Sequence, residues 1–86
     1  MNRIPETKFD SYITKRRGIF DGEQKFFTFE NGYSASVAEH IGSRGLELEI
    51  FSNGSIDRST PIAKDTVRYI KDADELEELL ERIKNL

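Results

Sequence analysis

The sequence predicts a single α+β domain, built as an antiparallel β-meander of three to five strands with one short and one longer C-terminal helix packed on one face. Two observations predict this fold. Most of the nine Phe and Tyr residues lie between Phe9 and Tyr33, and aromatic residues favour strands. The last third supplies Leu and Ile at helical spacing instead. Two such different sources of apolar side chains indicate a sheet packed against a helix.

The N-terminal third contains the least regular pattern. Residues 1–8 have few apolar side chains, which predicts a loose or extended lead-in. Residues 9–20 fit either a helical turn or a strand. Asp21-Gly22 is a turn sequence between apolar runs, and it predicts a hairpin that leads into a strand at 25–30.

A second hairpin is predicted at Asn31-Gly32, which follows that strand directly. Asn-Gly favours a type I′ turn, because both central residues of this turn have positive φ. The next run alternates, with Tyr33, Ala35 and Val37 on one face and small residues on the other. The small residues would let another element approach that second face closely.

Residues 46–50 show the clearest strand pattern, because leucine and isoleucine alternate strictly with glutamate. A turn is predicted before this strand at 42–45. Asn53-Gly54 predicts another hairpin after it. Residues 55–59 then form a short return strand at an edge of the sheet, where two copies of the chain could pair.

The hydrophobic period changes at Pro61, whose fixed φ suits the start of a helix. A short helix is predicted over 64–70. Asp72 then caps a longer helix at 73–85, and Glu75 completes a capping-box-like pair with it. The apolar stripe of this longer helix consists of Leu76, Leu79, Leu80 and Ile83.

The composition excludes several functional classes. The chain has 86 residues, a formal net charge of −3, no cysteine and a single histidine. Disulfides and cysteine nucleophiles are therefore impossible, and zinc and iron–sulfur sites lack their usual ligands. No apolar run approaches the roughly 20 residues of a membrane-spanning helix. We expect a cytoplasmic domain that is not an enzyme and holds no metal or cofactor.

Four basic residues are the candidate binding residues. Lys15, Arg16 and Arg17 form the only basic cluster, and aromatic residues flank it. Such a patch can contact phosphates and stack on bases. Arg44 lies in a GxxG spacing, which clamps a nucleic-acid backbone in some domains but is also a plain hairpin loop. The cluster is equally explained as a solvated strand face, or as basic residues that pair with acidic groups elsewhere.

The remaining chemically interesting residues have structural explanations. His40 has no partner of metal-ligating or nucleophilic type nearby in the sequence, and it is interpreted as a residue at a turn or strand end. Asp72, Asp74 and Glu75 lack the spacing of a calcium loop and fit helix capping. The acidic face of the last helix could dock on a basic partner or be solvated. No catalytic residue is predicted.

Several short motifs point to a family. They are Phe29-Glu30-Asn31-Gly32-Tyr33, Ser36-Val37, Leu46-Glu47-Leu48, Thr60-Pro61-Ile62, Asp65, Val67, Tyr69-Ile70 and Leu79-Leu80-Glu81-Arg82-Ile83. Over about residues 27–86 the chain resembles a family of short uncharacterised proteins of tailed phages and prophages. It departs from that family in a longer N-terminal segment, residues 1–25, and in Ser34-Ala35, where glycine is commoner. We therefore divide the domain into a partly ordered extension, 1–25, and a core, 26–86.

The resemblance implies the host cytoplasm as the setting. Small phage proteins without catalytic residues often bind and block another protein. We expect a non-enzymatic protein-binding module, phage-encoded, which acts as a stoichiometric inhibitor or modulator of a host or defence protein. The alternative is a nucleic-acid-binding accessory protein that uses the basic N-terminal cluster. The identity of the partner and the oligomeric state are left open.

Overall fold

Six strands and one C-terminal helix make up the structure, a computed structural model that describes residues 4–19, 22–40 and 45–86. The strands pair in the order β1-β2-β3-β4-β5, and β6 pairs with β4. All the pairings are antiparallel. The predicted α+β meander with a C-terminal helix is therefore confirmed. The elements are a 3-10 turn (Asp10–Tyr12), β1 (Ile13–Ile19), β2 (Gly22–Thr28), β3 (Tyr33–His40), β4 (Leu46–Ser52), β5 (Ser55–Ile56), β6 (Val67–Ile70) and α1 (Ala73–Lys84).

Helix α1 covers one face of the sheet. Leu76, Leu80 and Ile83 are fully buried, as the apolar stripe predicts, whereas Leu79 is only partly buried. Each buried aliphatic side chain contributes about 1.5–3 kcal/mol through the hydrophobic effect. Alternate residues of each strand point to this covered face. The sheet side of the core consists of Phe27, Phe29, Ala35, Val37, Leu46, Leu48, Ile50 and Ile70.

The helix begins at the predicted cap. Asp72 has extended backbone, and its Oδ1 accepts a hydrogen bond from Glu75 N at 2.9 Å. Glu75 Oε1 in turn accepts from Lys71 N at 3.2 Å, one residue before the cap. The pair thus satisfies two backbone donors at the start of the helix, as a capping box does.

The described part of the N-terminal segment, residues 4–9, is held against the sheet and is not loose. Ile4 and Phe9 are buried in the core. The Phe9 ring packs edge-on against Phe29 at a centroid distance of 6.3 Å. Lys8 N donates to Glu77 Oε2 of the helix at 2.8 Å. A single helix does not cover the whole face of this sheet, so residues 4–9 fill the rest.

The prediction of a short helix over 64–70 is wrong. Within the described range 45–86 these residues include β6, in which Ile70 lies opposite Leu46. Pro61 starts no helix and lies in the loop before β6. Val and Ile at this spacing fit either structure, and the free edge of β4 selects the strand because a paired β6 buries Ile70 completely.

The two Asn-Gly hairpins differ from each other. The predicted hairpin at Asn53-Gly54 is confirmed, and its turn has the positive φ of type I′ at both residues, 53° and 82°. In the first hairpin only Gly32 has positive φ, at 90°, and its N donates to Phe29 O at 3.3 Å. This is a three-residue turn that ends in a glycine bulge. The type I′ prediction for Asn31-Gly32 is therefore wrong.

The side chain of Asn31 explains this turn. Its Nδ2 donates to the carbonyl oxygens of Ile83 and Lys84, both at 2.9 Å, and its Oδ1 accepts from Tyr33 N at 3.0 Å. The last carbonyls of a helix have no partner within the helix. The Asn31 side chain supplies a hydrogen-bond donor to these carbonyls from the β2–β3 hairpin. It thereby ties the hairpin to the end of α1.

We expect Asn31→Ala to lower the free energy of unfolding by about 1–2 kcal/mol, because it removes the acceptor for Tyr33 N and the donor to the helix end. Urea denaturation measures the change. Asn85→Ala is the matched control, since Asn85 Nδ2 donates only to the exposed Glu81 Oε2, and it should cost less than about 0.5 kcal/mol. Equal losses in the two variants would contradict the assigned role.

A backbone bulge in β6 displays Tyr69. Between the pairs Leu46–Ile70 and Leu48–Val67, two residues of β6 face one residue of β4. Tyr69 has φ of 66° and is 65% exposed. This left-handed conformation costs a bulky residue roughly 1–2 kcal/mol. Position 45, which lies beside Tyr69, accommodates only glycine, because a Cβ there would lie 2.5 Å from Ile70 O.

Replacing Tyr69 by glycine should stabilise the fold by about 0.5–1 kcal/mol, since glycine adopts positive φ without the steric cost. The exposed ring loses few contacts in the exchange. Thermal and urea unfolding report the gain. Arg68→Gly on the same strand, where φ is not positive, should lose stability instead. A loss in both variants would show that Tyr69 is not strained.

Candidate functional site

The sheet has a second face, over which no helix or strand of the described chain packs. We call it the open face. In an antiparallel sheet such a face is ordinarily solvated and polar, but here it also carries two phenylalanines. The side chains of the open face in β1–β4 are those of Thr14, Lys15, Arg17, Gln24, Phe26, Thr28, Ser34, Ser36, Ala38, Glu47, Glu49 and Phe51.

The strand register arranges these residues in rows that cross the sheet. Small residues of the central strand β3 form the floor of a groove, with larger side chains of β2 and β4 on either side. Basic residues stand at the β1 end of the rows, and glutamates stand at the β4 end. One row is Lys15, Phe26, Ser36 and Glu49, and the next is Arg17, Gln24, Ala38 and Glu47.

Two shallow depressions lie along this groove. The larger, of about 320 Å³, is lined by Ser34, Phe26 and Phe51 among others. The two phenylalanine rings meet edge-on, with their centroids 6.3 Å apart. Ile56 of β5 lies opposite Phe51 and is 48% exposed. The smaller depression, of about 190 Å³, lies towards Ser36 and the glutamates. The first depression is therefore the apolar end of the groove.

On the basic side of the groove, the Lys15 and Arg17 side chains contact uncharged residues of β2. Lys15 Nζ lies 5.7 Å from the centroid of the Phe26 ring, which is a cation–π contact. Arg17 Nε donates to Gln24 Oε1 at 2.7 Å, and Gln24 Nε2 donates to Ser36 Oγ at 2.7 Å. These contacts fix both cations on the face without neutralising their charge.

The acidic side is fixed by arginines. Glu49 Oε2 lies 2.9 Å from Arg58 Nη2 and also accepts a hydrogen bond from Thr66 Oγ1. Glu47 Oε2 lies 3.9 Å from Arg68 Nε. The Glu49 and Glu47 side chains keep 21% and 30% of their surface exposed. The two carboxylates thus remain accessible from the open face.

The predicted binding residues are divided by the sheet. The pairing register of β1 with β2 shifts between Ile13 and Lys15, which is a β-bulge. The bulge puts both Thr14 and Lys15 on the open face. Arg17 shares the open face with Lys15. Arg16 lies opposite the buried Lys25, on the other face. Arg44, the fourth candidate, lies outside the described residues. The same holds for Gly42 and Ser43 of its GxxG loop and for the predicted turn residue Asp21.

Phe26 and Phe51, the aromatic residues of the site, were not among the predicted binding residues. Phe26 follows Lys25 and precedes Phe27, and strict alternation places it on the face opposite to Phe27. Phe51 follows Glu47 and Glu49 in β4 at the same two-residue spacing, so its side chain lies on the open face with theirs. Both could have been found from the alternation, since each is apolar at a position where the solvent-facing pattern requires a polar residue.

A second polar cluster lies at the margin of the covered face. Glu23 Oε1 accepts a hydrogen bond from Ile4 N at 3.3 Å, and Lys25 Nζ donates to Ile4 O at 3.4 Å. Glu39 lies opposite Glu23, and its Oε1 is enclosed without a hydrogen-bond partner. These contacts anchor residue 4 on the sheet, so this cluster has a structural explanation.

The described residues contain no group of three His, Asp or Glu side chains arranged to hold a metal ion. His40 is the last residue of β3, at the strand end where it was predicted. In the same part of the chain no helix has the length and apolar character needed to span a bilayer.

No protein-family model, curated protein or solved structure matches this chain. The resemblance to short phage proteins therefore stays a prediction. The geometry of the open face carries the functional argument.

The loop after β5 contains a carboxyl group, that of Asp57, which is held by hydrogen bonds from two serines. Asp57 Oδ1 accepts hydrogen bonds from Ser59 Oγ at 2.5 Å and from Ser59 N at 2.8 Å. Its Oδ2 accepts from Ser52 Oγ of β4 at 2.8 Å. The bonds from Ser59 and then that from Ser52 lower the pKa of Asp57 below its ordinary value of 3.8.

A lowered pKa makes Asp57 a source of stability above its unfolded-state pKa of about 3.9. This contribution is lost as the pH falls through the lower, folded-state pKa. We expect Ser59→Ala to raise the pKa of Asp57 towards its ordinary value, because the mutation removes the hydroxyl donor. An NMR titration of the Asp57 carboxyl measures it. Ser55→Ala in β5 is the control and should leave this pKa unchanged; an equal rise there would contradict the assignment.

Proposed function

We propose that this protein is a non-enzymatic protein-binding module whose partner docks on the open face. The groove along β3 supports this proposal, because an apolar depression between Phe26 and Phe51 at one end adjoins a charged and polar surface at the other. Protein interfaces commonly combine aromatic anchors with polar surroundings in this way.

The chemistry of the face indicates what a partner must present. An apolar side chain would enter the depression of about 320 Å³ beside Phe51. Carboxylates would meet Lys15 and Arg17, whose charge no described carboxylate neutralises. Cations would meet Glu47 and Glu49 on the opposite side of the groove. Complementary charge of both signs fixes the orientation of a partner and discriminates against wrong ones.

The more specific part of the proposal is the biological role. A phage-encoded inhibitor or modulator that binds a host or defence protein stoichiometrically, in the host cytoplasm, needs a binding surface and no reactive group. The absence of cysteine and the single histidine agree with this role. The resemblance to short phage proteins supports the phage origin.

Nucleic-acid binding is the second candidate. In its favour, Lys15 and Arg17 share a face with Phe26, and single-stranded nucleic acid binds to surfaces that combine cations and aromatic rings. Against it, Glu47 and Glu49 lie on the same face and would repel phosphates. Arg16 points to the other face, so the cluster offers two of its three charges. A protein partner is the better-supported proposal.

A steric block of the groove tests the proposal. We expect tagged wild-type protein to retain a partner from host lysate at low salt, and we expect Ser34→Arg to lose it, because the long side chain fills the depression. Ser11→Arg is the matched control; it makes the same exchange at an exposed position outside the groove. The retained protein is identified by mass spectrometry after nuclease treatment.

Capture by wild type and Ser11→Arg but not by Ser34→Arg supports the proposal. Equal capture by all three proteins, or no capture by any, counts against it. A signal that nuclease abolishes supports the second candidate instead. In that case binding of a single-stranded oligonucleotide should fall steeply with salt, and replacing Lys15, Arg16 and Arg17 by alanine should abolish it.

A further inference from the structure

We infer that the open face binds an extended acidic segment of a partner protein, in which one apolar side chain enters the depression beside Phe51 and carboxylates contact Lys15 and Arg17. This inference rests on the proposed function because it uses the same face, and it specifies the chemistry of the partner. Three observations carry it: the unmatched charge on the basic side, the position of Lys15 in the wall of the apolar depression, and the spacing of the two cations along β1.

The two sides of the groove differ in how far their charge is already matched. Glu49 lies 2.9 Å from Arg58, and Glu47 lies 3.9 Å from Arg68. A cation of the partner would therefore compete with an arginine of the chain itself. The two cations of β1 instead contact a ring and an amide group of β2, and no described carboxylate neutralises them. The unmatched charge is positive, and it attracts carboxylates.

The charge of the helix favours the same orientation of an acidic partner. The chain has a formal net charge of −3. Helix α1, which packs on the covered face, carries five carboxylates and two cations. They are Asp74, Glu75, Glu77, Glu78 and Glu81, with Arg82 and Lys84. An acidic segment is therefore repelled by the helix side of the molecule and attracted to the open face.

Lys15 lies in the wall of the apolar depression. The larger depression of the open face is lined by Lys15 together with Phe26 and Phe51, among others. The smaller one is lined by Glu47 and Glu49. Among the described residues that line the larger depression, Lys15 is the only one with a charge. An apolar side chain that enters it therefore brings the neighbouring part of its chain beside an ammonium group, where a carboxylate gains a partner.

The two cations stand at the spacing of an extended peptide. Lys15 and Arg17 are two residues apart on one face of β1, which is about 6.8 Å along the strand. Every second side chain of an extended peptide is presented at the same interval. Lys15 lies beside the depression and Arg17 lies one row further along. A segment that runs in the strand direction meets both cations when carboxylates follow or precede its apolar residue at every second position.

A nucleic acid fits these groups less well. The bases of a single strand stack on the faces of aromatic rings. The Lys15 ammonium lies over the Phe26 ring, and the Phe51 ring meets Phe26 edge-on. A base that stacks where the ammonium lies would displace the lysine that has to bind the phosphate. An acidic protein segment uses the lysine and the depression as they stand.

Binding of a synthetic peptide to the purified chain tests the inference. The probe is fluorescein-labelled Asp-Ser-Asp-Ser-Phe-Ser-Asp-Ser-Asp, which presents the pattern in both chain directions. Fluorescence anisotropy should give a dissociation constant of roughly 10–500 µM at low salt, since exposed ion pairs and one shallow depression supply modest binding energy. Asparagine in place of every aspartate should weaken binding about tenfold, and alanine in place of the phenylalanine should weaken it about fivefold.

Charge reversal at adjacent residues of β1 supplies a matched control. Arg16→Glu and Arg17→Glu change the net charge equally, but Arg16 lies on the other face. Lys15→Glu and Arg17→Glu should each weaken binding of the aspartate peptide about tenfold, whereas Arg16→Glu should change it less than about twofold. The double variant Lys15→Glu/Arg17→Glu should bind the peptide with lysine in place of aspartate more tightly than wild type does. Circular dichroism establishes that each variant is folded.

Equal affinity for the aspartate and asparagine peptides overturns the inference, and so does equal weakening by Arg16→Glu and Arg17→Glu. Tighter binding of an oligothymidylate with the same number of charges overturns it in favour of nucleic acid.

These measurements use purified protein and peptide, so they are independent of capture from lysate. A chain that captures a foreign protein through the groove but does not bind the aspartate peptide overturns this inference and leaves the proposed function standing. Specific binding of the peptide without capture from lysate supports this inference alone.

Discussion

The packing of one helix on one face of the sheet is the interaction on which the rest of the structure depends. Leu76, Leu80 and Ile83 are completely buried against it. A helix of 12 residues is about 18 Å long and 10 Å wide, so it does not cover a sheet of this size. Residues 4–9 must complete the core on the same side. The opposite face is left to solvent or to a partner.

The central strand β3 serves both faces because its side chains alternate. Ala35 and Val37 have no exposed surface and lie under the helix. Ser34, Ser36 and Ala38 form the floor of the groove on the other side. Small residues at these outward positions add little to the stability of the sheet. Their effect is on the shape of the open face, because larger side chains here would fill the groove between Phe26 and Phe51.

Much of this fold could be predicted from the sequence, because the signals concerned are local. The cap and stripe of α1, the alternation of β4 and the Asn53-Gly54 turn each depend on a few neighbouring residues. β6 could not be predicted in this way. Its residues fit a helix or a strand, and the choice is made by the distant edge of β4. The turn at Asn31 was likewise decided by a distant partner, the carbonyl end of α1.

The candidate site was less predictable than the fold. Lys15, Arg16 and Arg17 are adjacent in the sequence, but a strand sends neighbours to opposite faces. The bulge after Ile13 then decides which of them share a face. Rows across a sheet exist only once the register is fixed. The pairing of a basic and an acidic side within one face is therefore a tertiary property, which no local motif encodes.

The basic cluster also limits strand pairing at the edge of the sheet. β1 is the edge of the sheet, and seven residues are long enough to pair with another strand. Antiparallel pairing of two β1 strands would set Lys15, Arg16 and Arg17 against the same residues of the second copy, which is unfavourable. β5, where the sequence suggested edge pairing, has only two residues. The charge of β1 therefore disfavours association through the edge, and this favours the open face as the docking surface proposed above.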